Sequence, residues 1–156
     1  MSKSRRRFQA ALTAAGLERE ITELPGSTRT AEEAAASVGC EVAQIAKSLV
    51  FRGQTSGSAV LVIMSGVNRV DTDKLAEQID EPVGRADADF VRQVTGFAIG
   101  GVPPFGHVSE LTTLLDEDLM ALERIWAAAG GPFSVFETTP NELARVTGAP
   151  IVNVKT

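Results

Sequence analysis

The stretch "KSLVFRGQTSGSAVLVIMSG", residues 47–66, decides the fold. Two runs rich in aliphatic and β-branched residues, 47–53 and 58–66, flank the polar segment "QTSG". Runs of this length, bounded by glycine and small polar residues, predict two strands joined as an antiparallel hairpin. A hairpin excludes a purely parallel sheet. The sequence around it supplies the other half of the class.

N-terminal to the hairpin, "RRRFQAALTAAGL" places Phe8, Ala11, Leu12 and Ala15 on one helical face, with Gly16 suited to the stop. "EITEL" reads as a short strand and "PGS" as a turn. "TRTAEEAAASVG" starts a helix with Thr30 as cap and Glu33 three residues on, the capping-box spacing, and Gly39 ends it. "EVAQIA" reads as a further short helical piece. After the hairpin, Asp71 caps a helix over "TDKLAEQI", and "DADFVRQVTG" predicts another that stops at Gly96. Strands are expected around "ELTTLL", in "GGPFSVFETT" after its turn, and in "PIVNV"; "TPNELARVTG" is a capped helix. The order is irregular, so the expectation is an α+β chain with a mixed sheet, open or curled into a barrel, in one domain over residues 1–156.

Composition bounds the function. The chain has 156 residues, 44% hydrophobic and 22% charged, as in ordinary globular proteins. Its net charge of -5 argues against gripping long nucleic acid through phosphates, so no DNA partner is expected, while recognition of one nucleic-acid end stays open. The one dense basic run, Lys3 to Arg7, reads as a solvated first helical turn or as a tRNA contact. A single cysteine, Cys40, and a single histidine, His107, leave no ligand set for a disulfide or zinc site, and no cofactor is expected. No run reaches the ~18 apolar residues of a membrane span, and no secretory signal is visible, so the expected location is cytoplasmic.

Catalytic motifs are missing: there is no GxSxG, P-loop or HExxH. What remains is unusual backbone. "GGVPPFGH", residues 100–107, spends five of its eight positions on glycine and proline, and "AAAGGPF", residues 127–133, adds more glycine. Where two such segments meet, a ligand can approach the main chain, whose free N–H groups can hold a carbonyl or an oxyanion. Lys47, at a strand entrance, could aim its ammonium into such a pocket, or could simply lie at the surface. His107 could structure the loop, touch substrate or act as a base.

The blocks "TAEEAAASVGCEVAQIAKSLVF", "VGRADADFVRQVTGFAIGGVPPFGH" and "IWAAAGGPFSVFETTPNELARVTGA", in this order and spacing, resemble the YbaK-type aminoacyl-tRNA deacylases, relatives of the editing domain of bacterial prolyl-tRNA synthetase. The resemblance implies a barrel-like mixed sheet of six or seven strands and hydrolysis, in trans, of the ester joining a wrong amino acid to the tRNA 3′ end. It implies catalytic roles for Lys47, Gly100 and Gly101. It places substrate contacts on Ser48, Val102, Pro103, Pro104, Phe105, Gly106 and His107, and lines the aminoacyl pocket with Ala128, Gly130 and Gly131. The partners it implies are the aminoacyl-tRNA 3′ end and, as a candidate, an aminoacyl-tRNA synthetase. Activity would come largely from the substrate's own ribose hydroxyl and a water. Val102 and Phe105 stand in place of the small polar residues of the cysteine-specific branch, and Ser48 stands where some subfamilies carry Asn or Thr, leaving the amino acid open. A non-catalytic nucleotide or tRNA-end binding module and a histidine-based hydrolase are the alternative readings.

Overall fold

The expected hairpin forms the middle of the sheet. In the computed structural model, which describes residues 2–26, 28 and 30–156, β2 (Ile45–Gly53) pairs antiparallel with β3 (Ala59–Ser65) from Ala46↔Ser65 to Arg52↔Ala59. β3 is buried along nearly its whole length, which explains why "VLVIM" shows no apolar–polar alternation. Leu61 and Ile63 face the larger core, with Phe8, Phe97, Leu115 and Phe136. Val60, Val62 and Met64 face a smaller core with Leu75 and Leu114.

The remaining strands are β1 (Ile21–Glu23), β4 (Val83–Arg85), β5 (Thr112–Asp116), β6 (Ile125–Ala128), β7 (Ser134–Thr138) and β8 (Ile151–Val152). The sheet runs β1-β7-β6-β2-β3-β5-β8, with β4 added to β2. The pairs β2–β6, β3–β5 and β5–β8 are parallel, and the others are antiparallel, so the sheet is mixed as expected. It is not a closed barrel: β1 and β8 end the order unpaired to each other, and it has eight strands rather than six or seven. "PIVNV" contributes a strand of only two residues.

The helices are α1 (Lys3–Ala14), α2 (Ala31–Val38), α3 (Thr72–Ile79), α4 (Ala88–Thr95) and α5 (Pro140–Thr147). Thr30, Asp71, Asp87 and Thr139 each accept an N–H of the first turn, and Gly39, Gly96 and Gly148 close the ends in left-handed conformation. The expected helix over "EVAQIA" is a correction: only Val42–Gln44 form a 3-10 turn. Ile45 and Ala46 instead pair with Trp126 and Ala127 of β6, and ladder hydrogen bonds outweigh a weak local helical preference.

One defect in the sheet positions everything below. On its second edge β2 pairs with β6 only at Ile45 and Ala46, and with β4 only at Phe51 to Gly53. Among the described residues, no strand pairs with that edge at 47–50. The core beside the gap is held by an aromatic trio: Phe8 lies 5.1 Å from Phe105 and 5.0 Å from Phe136, ring centre to ring centre. Phe136→Ala is therefore expected to destabilise the chain by about 3–5 kcal/mol, read from urea unfolding.

Candidate active site

A cleft of about 310 Å³ opens at the gap in β2. Its walls come from β2, the start of α2, the loop before the two prolines, and the end of β6. Lys47 is half-buried in it, with Nζ donating to the carbonyl of Gly66 at 3.4 Å. Burial lowers the Lys47 pKa; the charges of Glu32 and Asp116 act to raise it, and Arg69 to lower it. The loop carrying Gly66 is itself held by the buried Asp116, which accepts the Ser65 N–H at 3.1 Å and Asn68 Nδ2 at 2.8 Å. Gly66 has no room for a side chain, since a Cβ would stand 2.4 Å from the Val42 carbonyl oxygen.

Ser48 follows Lys47, and its side chain takes the opposite face of the strand. Its hydroxyl oxygen is buried and has no hydrogen-bond partner among the described residues. A buried hydroxyl left unpaired costs about 1–3 kcal/mol, which a polar ligand would recover.

The two glycine-rich segments do meet. Gly101 packs its backbone on that of Gly131, so that a Cβ on Gly101 would lie 3.3 Å from the Gly131 N, C and O atoms. The Gly130 N–H donates to the Gly101 carbonyl at 3.0 Å. Thr28 adds a third segment, its hydroxyl lying 2.8 Å from the Pro132 carbonyl oxygen and 3.3 Å from that of Gly100. The loop is thus clamped by main-chain contacts.

Of the residues singled out in the sequence, Lys47, Ser48, Gly100, Val102 and Ala128 line the cleft. Gly101 does not: its N–H donates to Ala98 O at 3.0 Å, closing the turn rather than facing a ligand. Gly130 and Gly131 are buried behind the wall, and Gly130 presses against the Ser4 carbonyl. Pro103 and Pro104 are buried, and Phe105 anchors the loop on Phe8. Pro104, Phe105, Gly106 and His107 border a separate depression with Thr113 and Val146. The His107 ring donates through Nε2–H to the Pro103 carbonyl at 2.7 Å and sets its edge near Phe97. His107 is therefore a brace of the loop.

Glu32, Gly66, Ile99 and Trp126 also line the cleft and were not anticipated. The Thr30 cap signal located the start of α2, but nothing local says that this end faces Lys47. The basic N-terminal run is a first helical turn. Arg5 is taken up by Glu23 at 2.7 Å and by the Ile21 carbonyl, and Arg7 lies over the Phe97 ring at 6.0 Å. Arg6 alone of the three is exposed. Cys40 packs half-buried with Ala34, Ala35 and Ile45, and burial pushes its thiol pKa up, away from reactivity. Among the described residues, no group of three or more His, Cys, Asp or Glu side chains is placed to hold a metal ion.

Burial lowers the His107 pKa, and the hydrogen bond to Pro103 partly opposes this. A histidine whose folded pKa lies below its unfolded value binds fewer protons when folded. Its contribution is full above the unfolded pKa of about 6.5 and is lost as pH falls below it. Unfolding free energy should therefore drop as the pH falls below about 6.5. His107→Gln, which keeps a donor for Pro103, should flatten that slope in denaturant titrations at each pH.

Comparison with known proteins fits this geometry. The chain aligns with a crystal structure described as a candidate trans-editing enzyme for prolyl tRNA synthetase, at 48% identity and a TM-score of 0.93, covering 100% of this chain and 99% of that one. It is 33% identical over 128 residues to the uncharacterized protein YwhH of Bacillus subtilis, covering 82% of this chain and 81% of that protein. It is 29% identical over 81% of its length to EbsC of Enterococcus faecalis, named as a candidate Cys-tRNA(Pro)/Cys-tRNA(Cys) deacylase, of which it covers 77%. Residues 26–146, spanning the cleft and both glycine-rich segments, match the family model of the aminoacyl-tRNA editing domain, and the chain belongs to that family.

Proposed function

We propose that the chain hydrolyses the ester of a mischarged aminoacyl-tRNA in trans, with the 3′ end of the tRNA in the Lys47 cleft. The observation that carries this reading is that, among the described residues, the walls of the cleft hold Lys47 as their cation, several alanines and glycines, and no hydrogen-bonded nucleophile–base pair, the Ser48 hydroxyl being unpartnered. Water would add to the ester carbonyl, the C–O bond to the ribose would break, and the amino acid and the free 3′ end would leave. The water's proton would pass through the neighbouring ribose hydroxyl of the substrate, so the protein need not supply a base.

In this reading Lys47 meets the negatively charged part of the substrate as a point charge. Gly100 is the better backbone donor for the developing oxyanion, because the Gly101 N–H is already engaged with Ala98. A fixed donor of this kind contributes about 2.7–4 kcal/mol. Ala34, Ala46, Ala127 and Ala128 line the cleft with small side chains and would set the space left for the amino acid. Volume discriminates weakly, about 1–3 kcal/mol per methylene, which is why a second, separate sieve is useful.

The first test is deacylation by the purified protein of tRNAs charged with alanine, serine, threonine and cysteine. One or two of these should be hydrolysed. Lys47→Ala should lower kcat/KM by roughly 10²-fold or more, and a 2′-deoxy terminal adenosine should not be processed. Binding of the tRNA end without turnover of any substrate would identify a binding module instead. Turnover that survives the 2′-deoxy substitution but is lost in His107→Ala would move the chemistry to the histidine.

A further inference from the structure

A second cavity of about 270 Å³ lies on the other side of the Gly100 loop. Ser48, Leu49, Ile99, Gly100 and Val102 line both it and the Lys47 cleft. The two spaces therefore adjoin along the unpaired edge of β2. The second is walled by Val50, Phe51, Ala86 and Val91, with Arg85 at its exposed rim. Among the described residues Arg85 forms no salt bridge.

The direction of the β2 peptide groups shows what this edge offers. The Ile45 carbonyl accepts the Gly66 N–H, and the Gly53 N–H donates to Ser58 O, both on the β3 side. Peptide groups alternate sides along a strand, so the even-numbered residues turn their N–H and C=O to the opposite edge. Ala46 meets β6 there and Arg52 meets β4. Ser48 lies between them. Its N–H and C=O point into the gap, beside its own unpartnered hydroxyl.

We infer that this gap and the second cavity bind the terminal adenine of the tRNA, with the base edge hydrogen-bonded to the main chain of β2 at Ser48. An adjacent donor and acceptor on a strand edge complement a ring nitrogen next to an exocyclic amine, as on adenine. Leu49, Val50, Phe51 and Val91 offer apolar surface to the faces of the base. The ester then falls at Gly100, the wall common to both cavities, with the amino acid on the Lys47 side. The inference rests on the deacylase reading and adds to it the recognition of the base.

Because the proposed readers are backbone atoms, the decisive change is made on the ligand. Deacylation would be measured on tRNA minihelices ending in adenosine, in purine riboside, which lacks the 6-amino group, or in inosine. The expected result is a loss in kcat/KM of at least about tenfold for both analogues. Ala86→Leu, which fills the second cavity, should lower kcat/KM on the adenosine substrate, with its melting temperature reported beside it. Adenosine and inosine would also be titrated into the protein alone by NMR, and adenosine should shift Ser48 and Val50 amides more strongly. Equal turnover of the three minihelices overturns the inference while leaving the deacylase intact. If no minihelix is turned over, the deacylase reading fails. The titration then judges the base site by itself, and the absence of any preference for adenosine overturns it.

Discussion

β2 is paired along one edge and only at its two ends on the other. That interrupted pairing is the constraint on which the site depends. A complete ladder would satisfy every peptide group and leave a smooth sheet. Here β6 and β4 approach β2 from opposite ends and stop short of each other, leaving residues 47–50 open on one side. The Gly100 loop lies across the opening, so its walls are a strand edge and a loop. Both sides present main chain to the cleft.

The loop can serve as a wall only because it is rigid. Glycine allows the left-handed turn at Gly100 and the close approach of Gly101 to Gly131, which any side chain would obstruct. Buried prolines, the Phe8–Phe105–Phe136 cluster and the His107 brace then remove the freedom that glycine permits. Preorganised donors are worth most when they do not have to move to meet developing charge. Among the described residues Lys47 is the cation of the cleft, and an acidic chain with a half-buried lysine there can engage the end of a tRNA without gripping its whole backbone.

Much of the fold was legible because its signals are local. The hairpin, the caps at Thr30, Asp71 and Thr139, and the glycine stops each depend on residues within one turn of each other. The short segment at 42–46 misled because "EVAQIA" has a helical composition and a strand destination. The three-residue β4 carries too few positions for any period to show.

The sequence by itself determined which groups the chain has to work with: one histidine, one cysteine, no nucleophile motif, and glycine and proline gathered in two segments. It marked Lys47, Ser48 and Gly100, and through its resemblance it named the family. Only the tertiary structure decided how the loop residues divide. Gly100 and Val102 reach the cleft, while Gly101, Pro103 to His107, Gly130 and Gly131 support it from behind. It also showed that Arg5 and Arg7 serve the protein's own packing, and that Glu32 faces Lys47. The physical reason is range. Turns and caps are set by neighbours in sequence, whereas a cleft is the place where strands fail to pair, and which strands those are depends on contacts tens of residues apart.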